Sequence, residues 1–241
     1  MSSAKNIVIY LKMAVKNFRR HPGFDSIRSS LKYYSSWKEH LKIGKNSVSD
    51  KNPWISFSAI DFMKEILHPN MTVFEYGSGG STLFWASRVK KVISVEHDKV
   101  WYEKMKLELA LQQIKNIDYF LIEPKSDPMF SKKDYKNPND YISLDKDFEG
   151  KQFEAYVKKI DEYADDSFDV IIVDGRSRPS CVQHSLKKLK LGGYLVVDNT
   201  ERSYYLDPFH FDGQSWSSRI FSGPVPYIYH FSDTTIIKKL N

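Results

Sequence analysis

The sequence has very little cysteine and no long hydrophobic run. Cys181 is the only cysteine among 241 residues, which excludes an intramolecular disulfide and indicates a reducing, cytoplasmic environment. No apolar stretch approaches the ~20 residues of a membrane-spanning helix. The apolar segment NIVIYLKMAV is interrupted by Lys12 and has no small-residue cleavage site after it, so we do not interpret it as a signal peptide. The 41% hydrophobic content still suffices for one large α/β domain, with or without an appendage.

Acidic residues are scarce in the first 51 residues. This segment contains eleven lysines and arginines against three acids, a net charge of +8, whereas the whole chain carries +6. Residues 52–241 therefore sum to −2, and the basic character belongs to the N-terminal segment. A main domain so close to neutral argues against nucleic acid as a partner.

The basic segment is predicted to form a helical arm, residues 1–51, in front of a main domain at residues 52–241. Helices are predicted at residues 5–20 and 26–43. In the first helix, basic and apolar side chains fall on separate stripes. Such a helix suits contact of residues 1–24 with an anionic membrane surface, or packing on the main domain or a partner chain.

Short apolar segments alternate with helical ones along the main domain. Strands are predicted at residues 72–76, 92–96, 118–122, 170–174 and 194–198, and helices at 56–67, 82–89, 99–113, 153–164 and 181–189. This alternation is typical of a parallel sheet covered on both faces. Two further segments, 216–222 and 234–240, have no room for a helix between them and predict an antiparallel closure. The expected fold is a doubly wound, seven-stranded Rossmann-like α/β sheet, mostly parallel with an antiparallel C-terminal strand.

The long polar segment at residues 123–150 contains three prolines and no predicted element. A loop of that length in a compact domain is a lid, a binding loop or a disordered segment.

Three glycines follow the first predicted strand in FEYGSGGSTLFWA. Gly77, Gly79 and Gly80 permit a sharp turn and close approach of a ligand to the backbone, and the next helix begins there. The sequence has no G-K-[S/T], which excludes a Walker A phosphate loop, and Thr82 stands where the dinucleotide spacing requires glycine.

Two glutamates accompany this turn. Glu75 ends the first strand and Glu96 ends the second, about 20 residues later, where a carboxylate commonly accepts ribose hydroxyls. A glutamate beside the turn suits a ligand with an amino group. S-adenosylmethionine has an amino group, a carboxylate for the turn's amides, and a ribose.

Four segments together resemble the class I S-adenosylmethionine-dependent methyltransferases: VFEYGSGGST, VISVEHD, FDVIIVDG and LKLGGYLVVDN. The resemblance covers about residues 54–241. It implies that Glu96 holds the ribose, that Glu123 lies near the adenine and that Asp174 borders the cofactor. The residues implied at the methionine end are Glu75, Gly77, Ser78, Gly79, Gly80 and Ser81.

Polar residues also end the fourth and fifth strands. Asp174, Asp198 and Asn199 are hard oxygen ligands on neighbouring strand ends and form a candidate Mg²⁺ site. Their pattern is similar to metal-dependent O-methyltransferases of the catechol type and of macrolide sugars. Arg176 and Arg178 stand where the catechol enzymes have a lysine; they are candidates for binding an acidic acceptor or for pairing with nearby carboxylates.

The candidate general bases are Asp174 and His210. VDGRSRP replaces the Asp/Asn-Pro-Pro-aromatic motif of amino-methyltransferases after the fourth strand, which argues against methylation of a nucleobase amine. We therefore expect methyl transfer to an oxygen of a small molecule or glycan intermediate. The alternatives are an RNA methyltransferase that uses the basic arm, and a non-catalytic adenosyl- or nucleotide-binding module.

Overall fold

A seven-stranded sheet forms the centre of the computed structural model, which describes residues 3–241. The strand order is β3-β2-β1-β6-β7-β9-β8, and all pairs are parallel except those of β9 with β7 and β8. β9 is therefore the one antiparallel strand, and the predicted fold class is confirmed. The strands of this sheet are β1 (Thr72–Tyr76), β2 (Lys91–Glu96), β3 (Ile117–Leu121), β6 (Phe168–Val173), β7 (Leu189–Asp198), β8 (Trp216–Pro224) and β9 (Phe231–Lys239). A separate antiparallel pair consists of β4 (Lys125–Ser126) and β5 (Lys151–Gln152).

Helices cover both faces of the sheet. They are α1 (Ser3–Arg20), α2 (Phe24–Lys32), α3 (Tyr34–His40), α4 (Ser47–Asp50), α5 (Phe57–Ile66), α6 (Gly80–Ala86), α7 (Lys99–Leu111), α8 (Glu154–Lys158) and α9 (Arg178–Lys188). The single helix predicted at residues 26–43 is two helices, because the chain turns at Tyr33. No helix in this described part of the chain has the length and apolarity to cross a bilayer.

Two apolar layers hold the sheet between the helices. One contains the fully buried Trp37 and Trp85, and the other contains Tyr76 and Tyr156. The strand segments FDVIIV and TVFEY are almost entirely buried, as expected for strands that contact helices on both faces. The buried layers place the carboxyl ends of β1, β2, β6 and β7 along one edge of the sheet.

The N-terminal helices pack on the β8–β9 edge of the sheet. Trp37 of α3 is fully buried, and its indole Nε1 donates a 2.9 Å hydrogen bond to the Ile228 carbonyl. At the end of α1, Arg20 and His21 each lie 2.9 Å from a carboxylate oxygen of Asp233, which is buried in β9. The basic segment is thus tied to the last strand of the chain.

The segment between β3 and α8 is an ordered excursion with a short β4–β5 pair at its base. It includes 3₁₀ turns at Phe130–Lys132 and Lys146–Phe148. The side-chain carbonyl of Asn139 accepts a hydrogen bond from Gln183 of α9, and the Arg176 guanidinium lies 2.7 Å from Asp145. These contacts hold the excursion over the carboxyl end of β6.

Candidate functional site

The site lies where the strand order reverses, between the neighbouring strands β1 and β6. Gly77 follows β1 with a φ of +88°, and Gly175 follows β6. A Cβ atom on Gly77 would stand 2.9 Å from the Gly175 Cα atom, so the two backbones need glycine to come this close. Open sheets of this kind bind ligands in the crevice at such a reversal.

The other two glycines of the turn have different surroundings. A Cβ atom on Gly80 would lie 1.9 Å from the Ser47 carbonyl oxygen, because α4 packs directly on the start of α6. Gly80 therefore serves contact with the N-terminal segment. The backbone at Gly79 is extended, and a Cβ atom there would have only the Ser81 hydroxyl near it, 3.9 Å away. Gly79 is itself buried and its amide donates to the Thr82 hydroxyl, whereas Ser78 is partly exposed.

Glu75 is a buried support beneath the turn. It is 0% exposed, and each of its two carboxylate oxygens accepts two hydrogen bonds from side chains. The donors, at 2.6–2.9 Å, are Ser81, Thr82, Trp85 and Ser94. Burial raises the pKa of Glu75 to about 7 although the four hydrogen bonds oppose that shift. From the sequence we expected this carboxylate to meet the cofactor's amino group, whereas the structure directs it into the protein.

Glu96 faces the turn from the end of β2. Its Oε2 atom accepts hydrogen bonds from the Ser78 amide at 3.0 Å and the Ser78 hydroxyl at 2.7 Å, and its Oε1 atom accepts from the His97 and Asp98 amides. Burial alone would raise the pKa of Glu96, but the contacts with His97, Asp98 and Ser78 outweigh it and lower the pKa below 4.5. Glu96 is therefore an ionised acceptor at the edge of the turn; it is 2% exposed, and the His97 Nδ1 atom also lies 2.9 Å from its Oε1 atom.

An unpaired hydroxyl marks the crevice between β1 and β6. The buried Tyr156 hydroxyl makes no hydrogen bond with any described residue. A Cβ atom on Gly175 would stand 1.9 Å from that hydroxyl, so Tyr156 points at the strand end. Buried polar groups without partners are uncommon in native proteins, so this hydroxyl is a candidate ligand contact at the strand ends.

The candidate metal ligands contact an arginine and neighbouring side chains. Arg178 donates to an Asp174 carboxylate oxygen at 2.9 Å and to the Asp198 and Gly175 carbonyl oxygens. Asp198 accepts a 2.7 Å hydrogen bond from Thr234, and the Asn199 amide nitrogen donates to Ser232.

These contacts give both carboxylates partners within the protein, and the Mg²⁺ site at Asp174, Asp198 and Asn199 stays a prediction. Burial, reinforced by the nearby Asp174 charge, raises the pKa of Asp198 to about 8 despite the opposing Arg178 and Thr234. Arg178 forms an ion pair with the Asp174 carboxylate, whereas it reaches Asp198 through the backbone carbonyl. Among residues 3–241 no cluster of three or more histidine, cysteine or acidic side chains has metal-binding geometry. The Arg178 guanidinium is also occupied by protein oxygens and is not free for an acceptor.

A cavity of about 420 Å³ opens beside Gly175. Arg176 and Arg178 line it from the start of α9, Ser143 and Asp145 from the excursion, and Arg202 from the segment after β7. Three tyrosines complete the wall: Tyr135, Tyr204 and Tyr205. A larger cavity, about 590 Å³, lies between α2, α5 and β8, away from the strand ends. The smaller cavity is the candidate acceptor site because it adjoins the crevice.

The structure brings together only part of the residue set expected from sequence. Glu123 and His210 are exposed, and neither lines the cavity. Tyr156 and Arg202 were not among the residues expected from the sequence. Arg202 lies four residues after Asp198, which ends a strand, and this spacing could have identified Arg202 as a candidate from the sequence. Nothing in the sequence around Tyr156 distinguishes it from a core aromatic residue.

No protein-family model matches the sequence, and no curated protein matches it. Solved structures do match. The O-methyltransferase TomG from Streptomyces achromogenes, which is involved in tomaymycin synthesis and was crystallised with S-adenosylmethionine, is 15% identical with a TM-score of 0.54; the match covers 87% of this chain and 95% of TomG. An rRNA methylase from Streptococcus thermophilus is 17% identical with a TM-score of 0.52, covering 79% and 98%. An O-methyltransferase from Bacillus cereus is 13% identical with a TM-score of 0.52, covering 85% and 90%. The chain therefore has the fold of the class I S-adenosylmethionine-dependent methyltransferases.

Proposed function

We propose that the chain is an S-adenosylmethionine-dependent methyltransferase acting on an oxygen atom of a small molecule or glycan intermediate. The observation that carries this proposal is the ionised, buried Glu96, hydrogen-bonded to the Ser78 amide of the glycine turn at the strand reversal. A carboxylate one strand away from a glycine turn suits a ribose. The unpaired Tyr156 hydroxyl at the neighbouring strand end supports the same ligand.

S-adenosylmethionine supplies a methyl group on a sulfonium, so the protein's own part is to orient the acceptor and remove a proton. Asp174 is the candidate base because its side chain is 27% exposed, beside Gly175 and the cavity. Burial raises the pKa of Asp174, although the Arg178 and Arg176 charges oppose the shift. In this proposal Asp174 takes the acceptor's hydroxyl proton, while Arg178 holds the carboxylate in place.

The cavity favours an acceptor with a negative charge. The Arg176 Nε atom is buried and has no hydrogen-bond partner within residues 3–241, and Arg202 donates to the Tyr205 hydroxyl at 2.9 Å on another wall. Two guanidinium groups on facing elements suit a carboxylate or phosphate, and the tyrosines suit a sugar ring. An acidic sugar or a phosphorylated glycan intermediate fits this lining.

The test is methyl transfer from labelled S-adenosylmethionine in a cell extract, followed by separation of small molecules, glycans and RNA. We expect label in the ribonuclease-resistant fractions. Asp174→Asn should lose about 100-fold or more in rate while it still binds S-adenosylhomocysteine in calorimetry. His210→Ala is the matched control and should keep its activity. If the wild type forms no more S-adenosylhomocysteine than Asp174→Asn, catalysis of this kind is refuted and a non-catalytic binding module remains.

RNA methylation is a second candidate because the N-terminal segment carries a net charge of +8. The solved structures named above include both an rRNA methylase and O-methyltransferases, so the fold is compatible with either acceptor. Ribonuclease-sensitive label in the same experiment would favour RNA. A filter-binding salt series should then show a steep loss of RNA affinity with salt.

A further inference from the structure

Helix α1 directs most of its large apolar side chains into solvent. Tyr10 and Asn17 are its buried residues against the sheet edge, and Asn17 is polar. A surface helix normally buries its apolar stripe and exposes its polar one. Here the apolar residues that are 41–58% exposed are Ile7, Val8, Leu11, Val15 and Phe18.

Helix α2 shows the same inversion in a stronger form. Its buried residues are two serines: Ser26 accepts a hydrogen bond from Asn17, and Ser29 donates to the Ser222 carbonyl. The apolar residues of the helix are the exposed ones: Phe24 at 75%, Ile27 at 46% and Leu31 at 76%. Helix α2 therefore turns its polar face toward the protein and its apolar face toward water.

One residue of β8 anchors both helices. The Ser222 hydroxyl donates to the Asn17 side chain, and the Ser222 carbonyl accepts from Ser29. The inner side of α1 packs Tyr10, Met13 and Ala14 on the core beside Asn17, and the inner side of α2 is formed by serines, so the exposed apolar side chains of both helices lie on their outward sides. We call this surface the outer apolar face; it consists of Ile7, Val8, Leu11, Val15, Phe18, Phe24, Ile27 and Leu31. Eight such side chains on two consecutive helices exceed the scattered apolar residues of an ordinary surface.

The charge around this face identifies its occupant. Residues 3–32 contain seven basic residues and one acidic residue, and α1 contains no acidic residue. Lys12, Lys16 and Arg19 border a groove shared with apolar residues of α1. A second copy of the chain would bring these like charges against one another. An anionic lipid surface accepts both features, since apolar side chains enter the acyl boundary while basic ones contact headgroups.

We propose that the outer apolar face docks on an anionic lipid surface, with α1 and α2 lying in the plane of the interface. The inference is independent of the proposed chemistry. It extends the sequence-based expectation for residues 1–24 to Ile27 and Leu31 of α2; Leu31 and Phe24 are the most exposed side chains of the face, at 76% and 75%.

Co-sedimentation with vesicles tests the proposal. The full-length protein should bind phosphatidylcholine vesicles containing phosphatidylserine at least about tenfold better than pure phosphatidylcholine vesicles, and salt should reduce the difference. Equal binding to both vesicles would overturn the proposal.

Paired variants distinguish vesicle binding through the outer apolar face from nonspecific hydrophobic or electrostatic binding. Leu11→Gln with Val15→Gln, and Lys12→Glu with Lys16→Glu, should each lose about tenfold or more in vesicle binding. The matched controls on α7 are Val100→Gln with Leu107→Gln, and Lys104→Glu with Lys106→Glu, which change exposed residues elsewhere by the same amounts. Controls that lose as much as the α1 variants would overturn the proposal. So would a wild-type dimer in light scattering that the Leu11→Gln and Val15→Gln changes convert to a monomer.

Discussion

Replacing Glu75 by alanine should destabilise the protein more than any substitution of a direct ligand contact. The carboxylate accepts hydrogen bonds from three hydroxyls and from the Trp85 indole, all at 2.9 Å or less. Trp85 is fully buried, so its indole nitrogen has no water to replace the lost acceptor. The hydroxyls of Ser81, Thr82 and Ser94 rotate and recover part of their hydrogen bonding.

The size of the effect follows from these donors. An unsatisfied buried donor costs about 1–3 kcal/mol, and four donors of which three recover in part give about 4–6 kcal/mol. This is a large share of the roughly 5–15 kcal/mol that stabilises a typical domain. The melting temperature should fall by about 10–20 °C, since about 1 kcal/mol shifts it by 2–4 °C in a chain of this size. Glu75→Gln keeps an acceptor oxygen and should lose only about 1–2 kcal/mol.

The pH dependence of stability tests the ionisation of Glu75. Its pKa is about 7 in the folded protein against 4.5 for an ordinary glutamate. The folded state therefore binds the proton more tightly, and the wild-type free energy of unfolding should fall by about 3 kcal/mol as pH rises from below 4.5 to above 7. Glu75→Gln lacks this titration, so its deficit of about 1–2 kcal/mol at low pH should disappear and reverse as pH rises above about 7.

Urea denaturation of the three proteins between pH 5 and pH 8 measures both effects. Calorimetry with S-adenosylhomocysteine measures ligand affinity in parallel. If Glu75 only supports the turn, the Glu75→Gln variant should bind S-adenosylhomocysteine nearly as well as wild type. If Glu75→Gln is as stable as wild type at every pH but no longer binds, the carboxylate contacts the cofactor directly and our interpretation of Glu75 is wrong.

Three further outcomes follow from the site. Glu96→Ala should weaken S-adenosylhomocysteine binding by about 1–3 kcal/mol in calorimetry; unchanged affinity would contradict the ribose contact. Arg178→Met should lower the free energy of unfolding in urea by about 3–5 kcal/mol, because Asp174 loses its buried cation and the Asp198 and Gly175 carbonyls lose a donor; a loss below about 1 kcal/mol would count against this pairing. Thoroughly chelated enzyme should turn over at the full rate, and a loss restored by Mg²⁺ would revive the metal site.

The sheet was largely predictable from the sequence. The first strand was predicted at residues 72–76 and is found at Thr72–Tyr76, since short apolar runs between helical patterns have few other structures available. The prediction of one helix at residues 26–43 was wrong in extent. The chain turns at Tyr33, and no proline or glycine there signals the turn.

The direction of the strand-end side chains was not predictable. Glu75 and Glu96 both end strands near the turn, yet one is directed into the protein and the other toward the crevice. Their neighbours decide this: Trp85, ten residues away, donates to Glu75, and Ser78 donates to Glu96. Likewise Arg178 contacts Asp174 and the Asp198 carbonyl because the first turn of α9 carries it back toward β7. Residue type and spacing suggested the chemistry, and only the packed structure assigned the partners.

The contacts of Arg20 and His21 with Asp233 span nearly the whole chain, with sequence separations of 213 and 212 residues. At a translation rate of about 5–20 residues per second, the residues of α1 are made roughly 10–40 s before their partner strand exists. The N-terminal helices therefore pack on one another before their contacts with the last strand can form. A truncated chain that ends before β9 lacks the Asp233 carboxylate that anchors the N-terminal helices. Its basic amphipathic α1 is then free to bind other surfaces.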